Sequence, residues 1–109
     1  MRSMTVNQEG DSIAVVLLDQ RISDEIRTSE IGDELIKIAG RMPAEQKLVL
    51  DFQNVEYFSS AMIGQLVQLR KATESNGVEL RLRHVSPMLQ TVLRATHLDK
   101  VFGVEDPSE

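Results

Sequence analysis

The chain reads as an α/β fold, with a mixed, mostly parallel β-sheet of about five strands and three or four helices packed mainly on one face. Two observations predict it. Apolar runs of strand length alternate along the chain with stretches whose apolar period is helical, and strands alternating with helices imply a parallel or mixed sheet with right-handed crossovers. The run at residues 13–18, IAVVLL, is continuous rather than alternating, the pattern of a strand covered on both faces. The 109 residues are read as one domain, 1–109, large enough to bury about two-thirds of the surface exposed by the unfolded chain.

Val6 and the run 13–18 form the first two strands, and Gly10 with Asp11 between them supplies hairpin turn chemistry. From Thr28 the period changes. Ile31, Leu35 and Ile38 recur at helical spacing, with Asp33, Glu34 and Lys37 on other faces. Thr28 or Ser29 is the expected cap, and Gly40 followed by Pro43 the stop. Residues 47–52, KLVLDF, are the third strand, which 55–58 extends through a kink at Gln53 and Asn54. Met62, Leu66 and Leu69, with Ile63 and Val67, then make a broad apolar stripe that starts at the serines and stops at Asn76 and Gly77. Val78, Leu80 and Leu82 alternate with Glu79, Arg81 and Arg83, so this strand has one solvated face. Ser86 before Pro87 is a strong helix start, and Met88, Val92 and Leu93 continue that helix to about Thr96. A short strand at 101–104 precedes an acidic tail, EDPSE, expected to fray.

Composition removes several functional classes. There is no cysteine, so disulfides, thiol catalysis and Cys-based metal sites are excluded. A net charge of −5 argues against nucleic acid, which requires a basic face. The longest apolar run is far short of the roughly 20 residues of a membrane span. Residues 1–10 carry no apolar segment with a cleavage site, so the expected location is the cytoplasm and the expected partner a protein. No cofactor or metal is expected.

The chemistry centres on residues 57–64, YFSSAMIG, where two serines stand between a strand and a helix. One role is structural: either hydroxyl can cap the helix. A hydrolytic nucleophile is disfavoured, because the nucleophile elbow needs glycines two residues to each side of the serine, and those places hold Tyr57, Phe58, Ala61 and Met62. Phosphoryl acceptance fits better, since a helix N-terminus favours added negative charge. No Walker-type phosphate loop is present. Asp24, Glu25, Glu30, Asp33 and Glu34 read as a solvated helix face rather than a metal cluster. Arg81, Arg83 and His84 suggest a small basic strip, His97 a favourable interaction with a helix end, and Met62 and Met88 core or rim filling.

The stretch VLDFQNVEYFSSAMIGQLVQLRK, 49–71, resembles the signature of the bacterial anti-sigma factor antagonists, the STAS domains, in which a strand and short loop lead to Asp-Ser at a helix start. NGVELRLRHVSPMLQTVLRATHLDKVFGV, 76–104, follows the same family's strand, Ser-Pro helix and terminal Leu-x-x-x-Phe pattern. The resemblance implies a non-enzymatic switch that binds an anti-sigma factor which is also a serine kinase, so freeing a sigma factor. Phosphorylation of the serine turns it off, and a phosphatase would reset it. It implies Ser60 as the phosphorylated residue and Ser59, Ser60, Ala61, Met62, Ser23 and Asp24 as the partner-binding surface. Ser59 stands where the family has its aspartate, Met62 where it usually has glycine, and Gln20, Arg21, Ile22 and Ser23 where it commonly has Gly-Glu-Leu-Asp. The alternative is a scaffold module of the same fold that is never phosphorylated.

Overall fold

The computed structural model describes residues 4–100 and 102–104. Strands β1 (Met4–Glu9) and β2 (Ser12–Leu17) form an antiparallel hairpin, closed by Gly10 at φ 64°, in the left-handed region that glycine enters without strain. Then follow β3 (Arg21–Ile22), α1 (Glu25–Arg41), β4 (Lys47–Asp51), β5 (Tyr57–Phe58), α2 (Ser60–Ser75), β6 (Glu79–Arg83), α3 (Pro87–Ala95), a 3-10 turn (Leu98–Lys100) and β7 (Gly103–Val104). The main sheet has the order β1-β2-β4-β6-β7, parallel everywhere except at the β1–β2 pair. This is the mixed, mostly parallel five-stranded sheet that the alternation of patterns predicts.

Three boundaries differ from the sequence reading, each for a physical reason. Residues 55–58 do not prolong β4. The Asp51 carboxylate accepts from the Gln53 N–H at 2.9 Å and the Phe52 carbonyl from the Val55 N–H at 2.9 Å, so the chain turns away. Tyr57–Phe58 instead pairs in parallel with Arg21–Ile22 as a separate two-stranded ribbon. Helix α1 starts a turn earlier than Thr28, capped by Asp24, whose carboxylate accepts from the Arg27 N–H. The Thr28 hydroxyl donates to the Asp24 carbonyl at 2.7 Å, which uses it inside the helix rather than at its end. At the other end Gly40 lies within the last turn, and the helix closes on Met42, the residue that Pro43 keeps out of helical geometry. Val101 and the tail 105–109 lie outside the described residues.

One face of the sheet carries the core. Val15, Leu17, Leu48, Leu50, Leu80 and Leu82 are buried against Ile31, Leu35 and Ala39 of α1, Leu66 and Leu69 of α2, and Leu89 and Leu93 of α3. The opposite face is covered differently: Ala14 and Val49 are buried outside that cluster, and the Arg83 guanidinium extends from β6 to within 3.5 Å of Glu9 on β1, with β2 and β4 between them. A long cation lying over apolar surface with its head in water removes that surface from solvent without a helix. Because β2, β4, β6 and β7 run the same way, their carboxyl ends share one edge, and α1, α2 and α3 all start there.

Helices α1 and α2 pack closely at Gly32, where any side-chain carbon would collide with the amide of Gln65. Gly32→Ala therefore sets a gain in helix propensity of about 1 kcal/mol against displacement of the flexible, partly exposed end of Gln65, which can swing aside at small cost. Urea unfolding is expected to register a net gain of up to about 1 kcal/mol for Gly32→Ala, and a net loss would show that Gln65 cannot move aside.

Candidate functional site

The edge where the helices start is organised by the β3–β5 ribbon. Ile22 and Phe58 are both buried, and Phe58 meets Phe52 edge to face with ring centroids 5.8 Å apart. That apolar anchor fixes the chain just before α2. The Ser59 N–H then donates to the Ile22 carbonyl at 2.9 Å, so Ser23 and Ser59 follow as the next residues of the two paired segments.

Ser59 takes the N-cap position of α2, with φ −81° and ψ 169°, but its side chain makes no cap hydrogen bond. The expectation that a serine hydroxyl caps this helix is corrected here: the Ser59 Oγ is shielded from solvent and without a hydrogen-bond partner. Ser60, the first helical residue, is exposed, as is Ala61. The first turn of α2 contains no acid, so the positive end of its dipole is not offset within the helix. Met62 is fully buried in the core and cannot touch a partner, a correction to its expected place on the binding surface. Its side chain turns inward because residue 62 shares the buried stripe with Leu66 and Leu69.

Ser23 and Asp24 are exposed beside this site. Their loop is tied to α1 by a two-point ion pair, with Arg27 Nε and Nη2 each 2.9 Å from an Asp19 oxygen, and Glu30 adds a third contact at 3.5 Å. The hydrogen bonds that Arg27 donates to Asp19 hold its guanidinium above its ordinary pKa, against a smaller opposing effect of burial. Leu18, Ile26, Tyr57 and Met88 also stand at this edge. They are four of the six large exposed apolar side chains among the described residues, 38–72% accessible. Apolar groups exposed on the edge that also carries an exposed serine make that edge the candidate interaction surface.

Sequence reasoning missed two arrangements. Arg21 lies over the Tyr57 ring, its guanidinium carbon 4.8 Å from the centroid, because β3 and β5 put the two residues directly opposite each other. Asp51, 3% exposed at the end of β4, receives the Gln53 N–H, sits 2.9 Å from His84 Nδ1, and has Arg83 Nε at 3.4 Å, close enough for ion pairing but without hydrogen-bond geometry. His84 adopts φ 58°, a left-handed conformation unfavourable for a non-glycine residue. The expected basic strip does not form, since Arg83 pairs with Asp51 and Glu9 and Arg81 with Glu79. The register Asp51↔Arg83 produces this cluster, and register is not visible in spacing. Among the described residues no group of three or more His, Asp or Glu could hold a metal ion, and no helix is long and apolar enough to cross a membrane.

Comparison with known proteins points one way. The family model of the STAS domain matches residues 4–108. A STAS-domain anti-sigma factor antagonist protein from Planctomyces limnophilus superposes with a TM-score of 0.83 at 24% identity, over 93% of this chain and 87% of that one. The Bacillus cell fate determinant SpoIIAA in its phosphorylated form gives 0.68 at 11% identity, covering 94% and 91%. A sulfate transporter family protein from Wolinella succinogenes gives 0.72 at 16% identity, covering 91% and 80%. At these identities the likenesses establish the fold alone.

The Asp51 cluster is a structural support of the edge rather than an exposed group. Asp51→Ala, which strands the Gln53 N–H and removes the acceptor beside Arg83, is expected to lower unfolding free energy by about 2 kcal/mol in urea titration. A change below about 0.5 kcal/mol, the range of ordinary surface substitutions, would contradict that role.

Proposed function

The chain belongs to the STAS domain family, and from that membership we propose that it is a non-enzymatic anti-sigma factor antagonist, acting in the cytoplasm as one domain over residues 1–109. It binds an anti-sigma factor that is also a serine kinase, frees the sigma factor that the kinase holds, and is switched off by phosphorylation of Ser60. The observation that carries this reading is an exposed Ser60 at the start of α2, on the same edge as exposed Leu18, Ile26, Tyr57 and Met88. Ser23, Asp24 and Ala61 complete the contact surface, with Ser59 partly exposed beside them.

In the modification step, the Ser60 Oγ bonds to the γ-phosphorus of ATP held by the kinase. The bond to the β–γ bridging oxygen breaks, the hydroxyl proton passes to a base of the kinase, and ADP leaves. The product carries about −1.5 to −2 charge at neutral pH. At a helix N-terminus that charge is tolerated by the fold. Against an apolar partner surface it is not, because a dianion must be desolvated there without compensation.

A second reading is favoured by one feature, the neutral, unpartnered Ser59 hydroxyl beside Ser60. It makes the chain a scaffold of the same fold that binds its partners without modification.

Affinity capture with the tagged chain, followed by incubation of the captured partner with ATP and phosphosite mapping, separates the two. Phosphate incorporation at Ser60, abolished in Ser60→Ala, is expected, with Ser60→Ala still binding. Ser60→Glu should bind about a hundredfold more weakly, equivalent to about 2.7 kcal/mol. Tight binding by Ser60→Glu with no incorporation into the native chain is the scaffold outcome.

A further inference from the structure

The β3–β5 register puts a cation on the strand paired with the one that leads into Ser60. Arg21 is exposed and has no acidic partner among the described residues, and its one recorded contact is the face of Tyr57. Arg27, the other cation of this loop, is occupied by Asp19 and Glu30. Tyr57 is three residues before Ser60, and Arg21 is directly opposite Tyr57. Three extended residues span roughly 10 Å, which an arginine side chain and a phosphoserine together can cover.

We infer that Arg21 is the intramolecular counter-ion of the phosphoryl group on Ser60. In the unmodified chain the guanidinium rests on the Tyr57 ring, an attraction that is weak at an exposed site. A phosphate on Ser60 offers a planar fork of N–H donors a stronger, two-point partner. The start of α2, whose first turn carries no acid, favours the same phosphate, so its oxygens are shared between the helix end and Arg21. When Arg21 moves to the phosphate it leaves the Tyr57 ring, so modification changes both the charge of the docking surface and the cover on one of its apolar residues. This rests on the reading of Ser60 as the modified residue.

The test needs no kinase, which separates its failure from failure of that reading. Phosphoserine is encoded genetically at position 60, in the otherwise native chain and in an Arg21→Gln background. Tyr57 is the only tyrosine and there is no tryptophan, so intrinsic fluorescence reports on this ring alone. Phosphoserine is expected to change Tyr57 emission in the native background and leave it unchanged with Arg21→Gln. In phosphorus NMR the second ionisation of the phosphate should occur about half a pH unit lower in the native background than in the Arg21→Gln background, the scale of an exposed charge pair. Coincident phosphate titrations in the two backgrounds, or a Tyr57 response that persists in Arg21→Gln, would overturn the assignment. A chain that no kinase modifies at Ser60 would sink the proposed function and leave this result standing.

Discussion

Parallel pairing of β2, β4 and β6 is the constraint on which the rest of the molecule depends. A strand that must run in the same direction as its neighbour cannot be reached by a tight turn, so the chain returns through a helix each time. Every helix then begins at the edge where the strands end. Three helix N-termini, the loops that precede them and their exposed apolar residues are thereby collected on one side of a chain of 109 residues. The opposite edge receives the β1–β2 hairpin turn and the helix ends. Asymmetry between the two edges is thus a consequence of strand direction.

The small ribbon β3–β5 refines what the main sheet sets up. Two residues on each side pair, and their inward side chains, Ile22 and Phe58, are buried. Alternation along an extended segment then requires Arg21 and Tyr57 to face away from that anchor. The same backbone bond that closes the ribbon, from the Ser59 N–H to the Ile22 carbonyl, sets where α2 begins. Loss of the Phe58 anchor would therefore move the serines as well as empty a part of the core. The Asp19–Arg27 ion pair performs the matching task on the other strand, holding the loop before α1 against its first turn.

Most of the fold was legible because its signals are local. Helical spacing in α1 and α2, the Ser86–Pro87 start of α3, confirmed by the bond from the Leu89 N–H to the Ser86 hydroxyl, and the alternation in β6 each occupy a few consecutive residues. The illegible parts depend on residues far apart in the chain. Residues 55–58 look like a prolongation of β4 because they are apolar, and only the pairing with Arg21–Ile22 makes them a separate strand. The serine position was legible and its chemistry only partly so. Spacing identifies a helix start, but whether a hydroxyl at that start makes a cap bond depends on its rotamer, which sequence does not record. Helical spacing puts Met62 in the apolar stripe, and the resemblance puts it on the partner surface. Its full burial supports the spacing, since one step along a helix turns a side chain by about 100°, enough to carry it from solvent to core.

Adjacent serines with the same chemistry thus acquire different roles from one step of backbone. Ser59 is still extended, in the ribbon's register, and its hydroxyl is held inside. Ser60 is helical and projects outward. The magnitudes decide where a charge on Ser60 acts. Its interaction with the dipole of α2 is worth about 0.3–1 kcal/mol and has the favourable sign, so the folded state is not threatened by it. Burying the same charge against an apolar partner without compensation costs several kcal/mol. The second effect exceeds the first several-fold and operates only in the complex. A phosphate at this position would therefore act on association rather than on folding.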